Sequence, residues 1–479
     1  MVSELQEVDV PVRDLERFAP LVGDHRYARL LRTADRARTL LAGTQIWHVN
    51  STAAGGGVAE MLQVLLGYSK AAGVPMRWVV MEGDAEFFTV TKRMHNRLHG
   101  SAGDAGALGA RERTHYEAVL ADNAARLLPR VRRGDVVFLH DPQTLGLAPA
   151  LAEAGAHVLW RCHVGSDTTN RHTEEAWEFL RPSFPSCEAF IFSRLAYAPD
   201  GLDRSRIWVI PPSIDPYAPK NQDLGPGETE RILGRIGLVT VPPGTPAGSF
   251  VRRDGSPGKV VRGAAIVGDD GPLAPGVPLV VQVSRWDRLK DMQGVMTGFA
   301  DHVLGRVDAH LALVGPAVAD VSDDPEGAEV LAACTSTWEA LPARARSRIR
   351  LVTLPMDDVD ENAAMVNAVQ RRAAVVVQKS LAEGFGLTVA EAMWKGRVVV
   401  ASAVGGIVDQ VVPGTGVLLR DPQDLAAFGD ALAGLLARPA TVESLGLAAH
   451  RHVLASFLGD RHLIQYAQLL EQLIAGGAG

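Results

Sequence analysis

Cysteine, lysine and long apolar runs are scarce in this chain, and each shortage closes off a class of protein. Cys162, Cys187 and Cys334 are the only three cysteines in 479 residues, odd in number and far apart. That excludes a disulfide scaffold, gives no metal-binding spacing, and suits a reducing cytoplasm. No stretch reaches the ~18 apolar residues that a membrane helix needs. The first residues carry Glu4, Glu7, Asp9, Asp14 and Glu16 with no continuous apolar core, unlike a secretory signal or transit peptide. The expectation is a cytoplasmic protein. A formal net charge of −7 argues against nucleic acid or an anionic membrane as a partner, since either would want a basic face. Of 48 basic residues only seven are Lys, so a Lys inside a motif stands out. The Gly-x-Ser-x-Gly elbow, H-E-x-x-H, C-x-x-C, the Walker ending and G-x-G-x-x-G are all missing, as is any repeat of roughly 20 to 50 residues.

What is present is alternation. Short β-rich runs and amphipathic helical stretches succeed one another nearly throughout, the pattern of parallel sheets covered by helices. At 479 residues the chain is too long for one core. Strands are expected at Thr44–Asn50, Met76–Met81, Asp135–His140, His157–Cys162, Ala189–Phe192 and Arg206–Ile210. In the second half they are expected at Pro278–Val283, His310–Val314, Arg348–Thr353, Ala374–Gln378 and Arg397–Ser402. The fold class is therefore α/β with two doubly wound domains, 1–215 and 216–455, hinged at Pro211–Pro216. A Gly/Pro-rich insertion covers 240–278, where Asp254-Gly255 marks either a projecting hairpin or a floppy loop. Apolar residues at helical spacing from Leu463 to Ile474 read as a docked helix.

The most informative segment is Glu383-Gly384-Phe385-Gly386-Leu387-Thr388-Val389-Ala390-Glu391. It places two carboxylates around a glycine turn that follows a buried strand and opens a helix. Free N–H groups there, worth roughly half a positive charge, attract a diphosphate. Glu383 on the turn can accept hydrogen bonds from sugar hydroxyls, and Glu391 within the helix can chelate a ribose diol. Val283-Ser284-Arg285-Trp286-Asp287-Arg288-Leu289-Lys290 ends another strand and places the cations Arg285 and Lys290 five residues apart. By itself it is a solvated helix start; beside the Glu383 segment it is a phosphate clamp. In Trp47–Glu60 a strand leads through Gly55, Gly56 and Gly57 into a helix, a loop that either admits a ligand close to backbone or is simply flexible. His140-Asp141-Pro142-Gln143 and Trp160-Arg161-Cys162-His163 each end a strand in ionisable residues, where α/β sheets bind ligands. Asp141 can bind acceptor hydroxyls. His163 is either close to the reacting carbon or a satisfied core imidazole. Asp358-Val359-Asp360 has a metal-transferase spelling but opens a helix, where an Asp cap is commonplace, so no metal is assigned.

Together these pieces resemble the retaining GT-B glycosyltransferases of family four, whose E-x7-E segment is matched by Glu383 and Glu391. His48–Thr52 with Gly55–Glu60, Glu86–Lys92, His140–Gln143, Trp160–His163, Ser213–Pro216 and Glu391–Lys395 look more narrowly like the trehalose glycosyltransferring synthases, over about Trp47 to Gly416. The resemblance implies two Rossmann-like domains facing across a cleft and a C-terminal helix, about 456–479, returning to the first. It implies transfer of glucose from a nucleoside diphosphate glucose to glucose, giving α,α-trehalose, reversibly, with no cofactor and as a homodimer. By position, Arg285 and Lys290 hold the diphosphate and Glu383 the donor sugar. The Gly384–Leu387 backbone with Phe385 and Thr388 lines sugar and phosphate, and Glu391 holds the ribose. Gly56 and Gly57 close over the phosphates, with Asn50, Asp141 and His163 on the acceptor side. Retention without a nucleophilic carboxylate fits a front-face mechanism. The family has an acidic residue closer to this histidine than Asp167, which either fills that role from a shifted position or marks a different acceptor pocket. A cyclitol or amino-sugar acceptor, a trehalose phosphorylase, and a sugar-nucleotide sensor without turnover are the competing readings.

Overall fold

The computed structural model describes residues 4–53, 57–268, 271–274, 276–318 and 325–476. It divides into two units, one of 1–213 with 457–479 and the other of 214–456. Each is built on its own seven-stranded sheet.

In the first unit the strands are β1 (Gln6–Glu7), β2 (Ile46–Asn50), β3 (Met76–Val80), β4 (Val136–His140), β5 (His157–Cys162), β6 (Ala189–Phe192) and β7 (Ile207–Val209). Their order is β1-β3-β2-β4-β5-β6-β7, parallel except for the antiparallel edge strand β1. Side chains of a strand alternate between faces, and the two apolar clusters divide accordingly. Trp47, Val49, Val137, Leu139, Val158 and Trp160 pack on one side. Ile46, Val136, Phe138, Leu159 and Ile191 pack on the other, beneath Tyr466 and Leu470 of the C-terminal helix Gly459–Gly476. That helix belongs to the first unit.

The second unit holds β8 (Ser249–Val251), β9 (Pro257–Lys259), β10 (Ala265–Val267), β11 (Leu279–Val283), β12 (His310–Pro316), β13 (Ile349–Leu354), β14 (Val375–Gln378), β15 (Val398–Ser402) and β16 (Gly416–Leu419). The main sheet runs β10-β13-β12-β11-β14-β15-β16. Its parallel strands are near-continuous Val, Leu and Ile because helices cover both faces.

The 240–278 stretch contributes real structure. β8 and β9 form an antiparallel hairpin around Asp254-Gly255, and β10 extends the main sheet antiparallel to β13. Arg252 and Arg253 of the hairpin hold Asp358 at 2.7 Å and Asp360 at 2.8 Å, and Arg262 pairs with Glu361. Asp358 also caps the Val359–Arg372 helix. The Asp-x-Asp carboxylates are thus engaged by the insertion. Pattern reading missed β1, β10 and β16, all edge strands too short for a periodic signal. Among the described residues no single helix is long and apolar enough to cross a membrane.

Candidate active site

In the second unit β11 is flanked by β12 on one side and β14 on the other, so the strand order reverses between β11 and β14. Ligands of open α/β sheets sit outside the strand ends at such a point. The loops leaving these two strands carry the predicted cations and carboxylate. Leu381 N–H donates to Leu289 O at 2.7 Å, joining the loops, and Lys290 Nζ meets Glu383 Oε2 at 2.7 Å. Both side chains are mostly buried, 15% and 13% exposed. Glu383 Oε2 also lies 3.3 Å from Ser380 Oγ and 3.5 Å from Gln378 Nε2, while Thr388 Oγ1 donates to Gln378 Oε1 at 3.0 Å. Arg285 is different: its side chain is 53% exposed and lies 3.5 Å from Asp287.

Beneath the loops, residues that pattern reading passed over hold the geometry. Gln282 Nε2 donates to Lys290 O at 2.7 Å, and its Oε1 accepts from Lys379 N–H at 3.2 Å. Lys379, fully buried, pairs with Asp291 and donates to Pro422 O at 2.6 Å. The scarcity of lysine was the one available signal for Lys379.

The glycine turn is shaped by contact. Gly386 has φ 82°, and a Cβ there would meet Glu383 Cγ and Ile407 Cγ1 at 3.2 Å. Gly384 O accepts from Gly406 N–H at 2.9 Å, and Phe385 O accepts from Gln410. The Leu387–Trp394 helix starts at Gly386 without a side-chain cap, leaving its positive end for a ligand. Glu391, 4% exposed, has Oε1 3.6 Å from Lys220 Nζ, whereas Oε2 is buried without a hydrogen-bond partner among the described residues. A buried carboxylate oxygen lacking a donor is costly, and a hydroxyl supplies one. Lys395 Nζ donates to Asn221 Oδ1, Gln370 Oε1 and Glu391 O at 3.0, 2.8 and 3.1 Å, and burial pushes its pKa down.

In the first unit the order reverses between β2 and β4. Asn50 at the end of β2 spends its amide internally, accepting from Trp78 Nε1 and donating to Thr52 O, both at 2.7 Å. Asp141 follows β4 with φ 63°, a strained conformation for a residue with a Cβ. Its Oδ1 accepts from His163 N–H at 2.7 Å. Burial pushes its carboxyl up to about 7, offset by the His163 bond and by Arg161. The His163 ring lies 3.2 Å from Nδ1 of His140 and 3.3 Å from Nε of Arg161, and His140 Nε2 lies 3.0 Å from His48 Nδ1. Strand parity puts His48, His140 and Arg161 on one face. Asp167 is held by Arg194. Gly57 begins the Gly57–Ala71 helix; Gly56 lies outside the described residues.

Residues 48–199 match the family model for trehalose synthase, N-terminal domain, and residues 278–438 that for glycosyl transferases group 1. Over 479 residues the chain is 32% identical to trehalose synthase of Pyrococcus horikoshii, covering 99% of this chain and 100% of that protein. The chain belongs to the trehalose synthase family. It is 32% identical to the trehalose synthase of Rubrobacter xylanophilus, over 98% of this chain and 99% of that one. Trehalose phosphorylase of Pleurotus pulmonarius is 25% identical over 91% of this chain but only 57% of its own length. Among solved structures, sucrose-phosphate synthase from Thermosynechococcus elongatus superposes with a TM-score of 0.62 at 19% identity, over 90% of this chain and 100% of that one. An α,α-trehalose-phosphate synthase (UDP-forming) from Burkholderia xenovorans gives 0.63 at 17% identity, with the same coverage. The fold is GT-B, and this member of the trehalose synthase family is a hexosyltransferase.

Proposed function

We propose that the protein moves an α-glucosyl group from a nucleoside diphosphate glucose to the anomeric hydroxyl of glucose, forming α,α-trehalose with retention and in either direction. The observation that carries this reading is the Lys290–Glu383 pair at the β11/β14 reversal, beside a helix without a side-chain cap whose Glu391 Oε2 has no partner among the described residues. Lys290 and Arg285 neutralise the diphosphate as it departs. Glu383 accepts hydrogen bonds from the donor sugar. The backbone of Gly384, Phe385, Gly386 and Leu387, with Thr388, lines sugar and phosphate. Glu391 Oε2 takes a ribose hydroxyl. Asp141 orients the acceptor, with His163 and Asn50 beside it, and the resemblance gives Gly56 and Gly57 a phosphate-binding role. The bond from the sugar's C1 to the phosphate oxygen breaks as C1 bonds to the acceptor oxygen, and the acceptor's proton passes to the leaving phosphate oxygen. The reading includes an ADP, UDP or GDP donor, no metal or other cofactor, a homodimer, and a cytoplasmic setting.

The test is incubation with labelled ADP-, UDP- and GDP-glucose and a panel of sugars and cyclitols, with products identified by NMR of the anomeric protons. Trehalose from glucose supports the reading. Turnover of another polyol with glucose inert moves the acceptor. The fungal relatives favour one competing reaction, phosphorolysis, so an arm with trehalose and inorganic phosphate belongs in the same experiment. Tight nucleotide-sugar binding with no product under any condition would make the protein a sensor.

A further inference from the structure

We propose that Arg161 is a positioning residue for the acceptor side, acting through a chain of three histidines whose tautomers it fixes. The inference rests on the acceptor role given above to Asp141 and His163. Arg161 is fully buried at the end of β5. Its Nη1 donates to Tyr466 Oη at 2.7 Å and its Nη2 to Ile210 O at 2.9 Å, which leaves Nε aimed at His163 Nδ1, 3.3 Å away. A guanidinium has five N–H groups and no acceptor. His163 Nδ1 must therefore be the unprotonated nitrogen, so a neutral His163 carries its proton on Nε2.

The consequence propagates. His163 Nε2–H faces His140 Nδ1 at 3.2 Å, so that nitrogen accepts and His140 is protonated on Nε2. His140 Nε2–H in turn faces His48 Nδ1 at 3.0 Å, so His48 also carries its proton on Nε2. The chain ends there, because His48 Nε2 is buried with no partner among the described residues. The assignment leaves that terminal N–H unsatisfied at a desolvation cost, and it is favoured because no other arrangement of neutral rings satisfies all three contacts.

The surroundings keep the rings neutral. Arg161 faces them from β5, and Arg461, His462 and Tyr466 face Arg161 from the C-terminal helix. Asp141 is engaged by His163 N–H, and Asp460 acts on Arg461 from the C-terminal helix. Burial holds His48 at about 3 and His140 and His163 well below the usual imidazole range, with Arg161 pushing the same way. A chain locked in one direction at its Arg161 end does not shuttle protons. It fixes the plane of the His163 ring, and the same residue's backbone N–H fixes the Asp141 carboxylate. Arg161 thus sets an acceptor ligand it does not touch.

Long-range ¹H–¹⁵N correlation spectra of the ¹⁵N-histidine-labelled protein test this without any substitution. His48, His140 and His163 are expected to show neutral rings protonated on Nε2, unchanged from about pH 5.5 to about 8.5. An Nδ1–H ring or an imidazolium among them would overturn the proposal. Arg161→Gln, whose amide either donates or accepts, is expected to release His163 into mixed tautomers. It should raise the acceptor KM on the order of tenfold while the donor KM changes less than about twofold. A folded Arg161→Gln protein with the wild-type ring pattern and acceptor KM would equally refute it. Should glucose prove not to be the acceptor, the ring spectra still decide this proposal, so the two failures are distinguishable.

Discussion

Lys290 and Glu383, 93 residues apart in the chain, meet Nζ to Oε2 at 2.7 Å where the order of the second sheet reverses. The pair brings a cation and an acceptor together before any ligand arrives. Because Gln282 pins the backbone at both Lys290 and Lys379, the two loops are fixed from below as well as by this contact. Preorganised charge of this kind stabilises a departing diphosphate without reorganisation during the reaction.

Lys290→Ala and Arg285→Ala are each expected to lower kcat on the order of 10²-fold, the scale for removing one charge-stabilising donor. They should differ in stability. Arg285 is half exposed, so its loss leaves the melting temperature nearly unchanged, whereas removing Lys290 breaks an ion pair in a mostly buried site. Initial rates together with thermal denaturation of both variants check this, and near-normal rates in both would discard the assignment.

Glu391→Gln tests the proposed ribose contact. Glu391 Oε2 has no donor among the described residues, while Oε1 lies 3.6 Å from Lys220 Nζ, so the substitution keeps the side chain's shape, gives up that ion pair, and weakens the proposed hydrogen bond to a ribose hydroxyl. The donor KM is expected to rise about tenfold, the worth of one charged hydrogen bond. The thermal shift produced by ADP, UDP or GDP should shrink accordingly. An undiminished shift with all three nucleotides would remove the ribose from this position.

Asp141 sets a pH dependence. Its folded value, about 7, lies above that of an ordinary carboxyl, so the native state holds this proton more tightly than the unfolded chain. The stabilising contribution is therefore complete below the usual carboxyl range and is lost as pH rises to about 7. Asp141→Asn should flatten that part of the melting-temperature profile. If the ionised carboxylate orients the acceptor, wild-type kcat/KM for the acceptor rises through the same interval, and the variant lacks that limb. A flat wild-type profile between pH 5 and 8 would contradict both.

Lys379→Met tests the support beneath the site. It leaves the Asp291 carboxylate without its cation in a part-buried setting, and breaking a buried pair costs about 3–5 kcal/mol. Urea denaturation is expected to show a loss of that order, with weakened donor binding because Asp291 also caps the Met292–His302 helix that follows Lys290.

Much of the fold was readable residue by residue. All eleven expected strands are present, since most are buried runs rich in Val, Ile and Leu between helical stretches, which have few alternatives. The Glu383–Glu391 segment was equally legible, being a local turn and helix start with Gly386 at its left-handed position. The Asp254-Gly255 hairpin could not be told from a loop, because its strands of three residues are held by Arg252, Arg253 and Arg262 reaching residues about a hundred positions away.

The sequence by itself determined the two doubly wound units and the local geometry of the turn around Gly386, because both depend on patterns within a few residues of one another. Only the tertiary structure decided that Lys290 faces Glu383, that Lys379 is buried on Asp291, and that His48, His140 and His163 line up behind Arg161. Those contacts depend on which strands lie side by side and in what register, and that is settled by packing across the whole sheet.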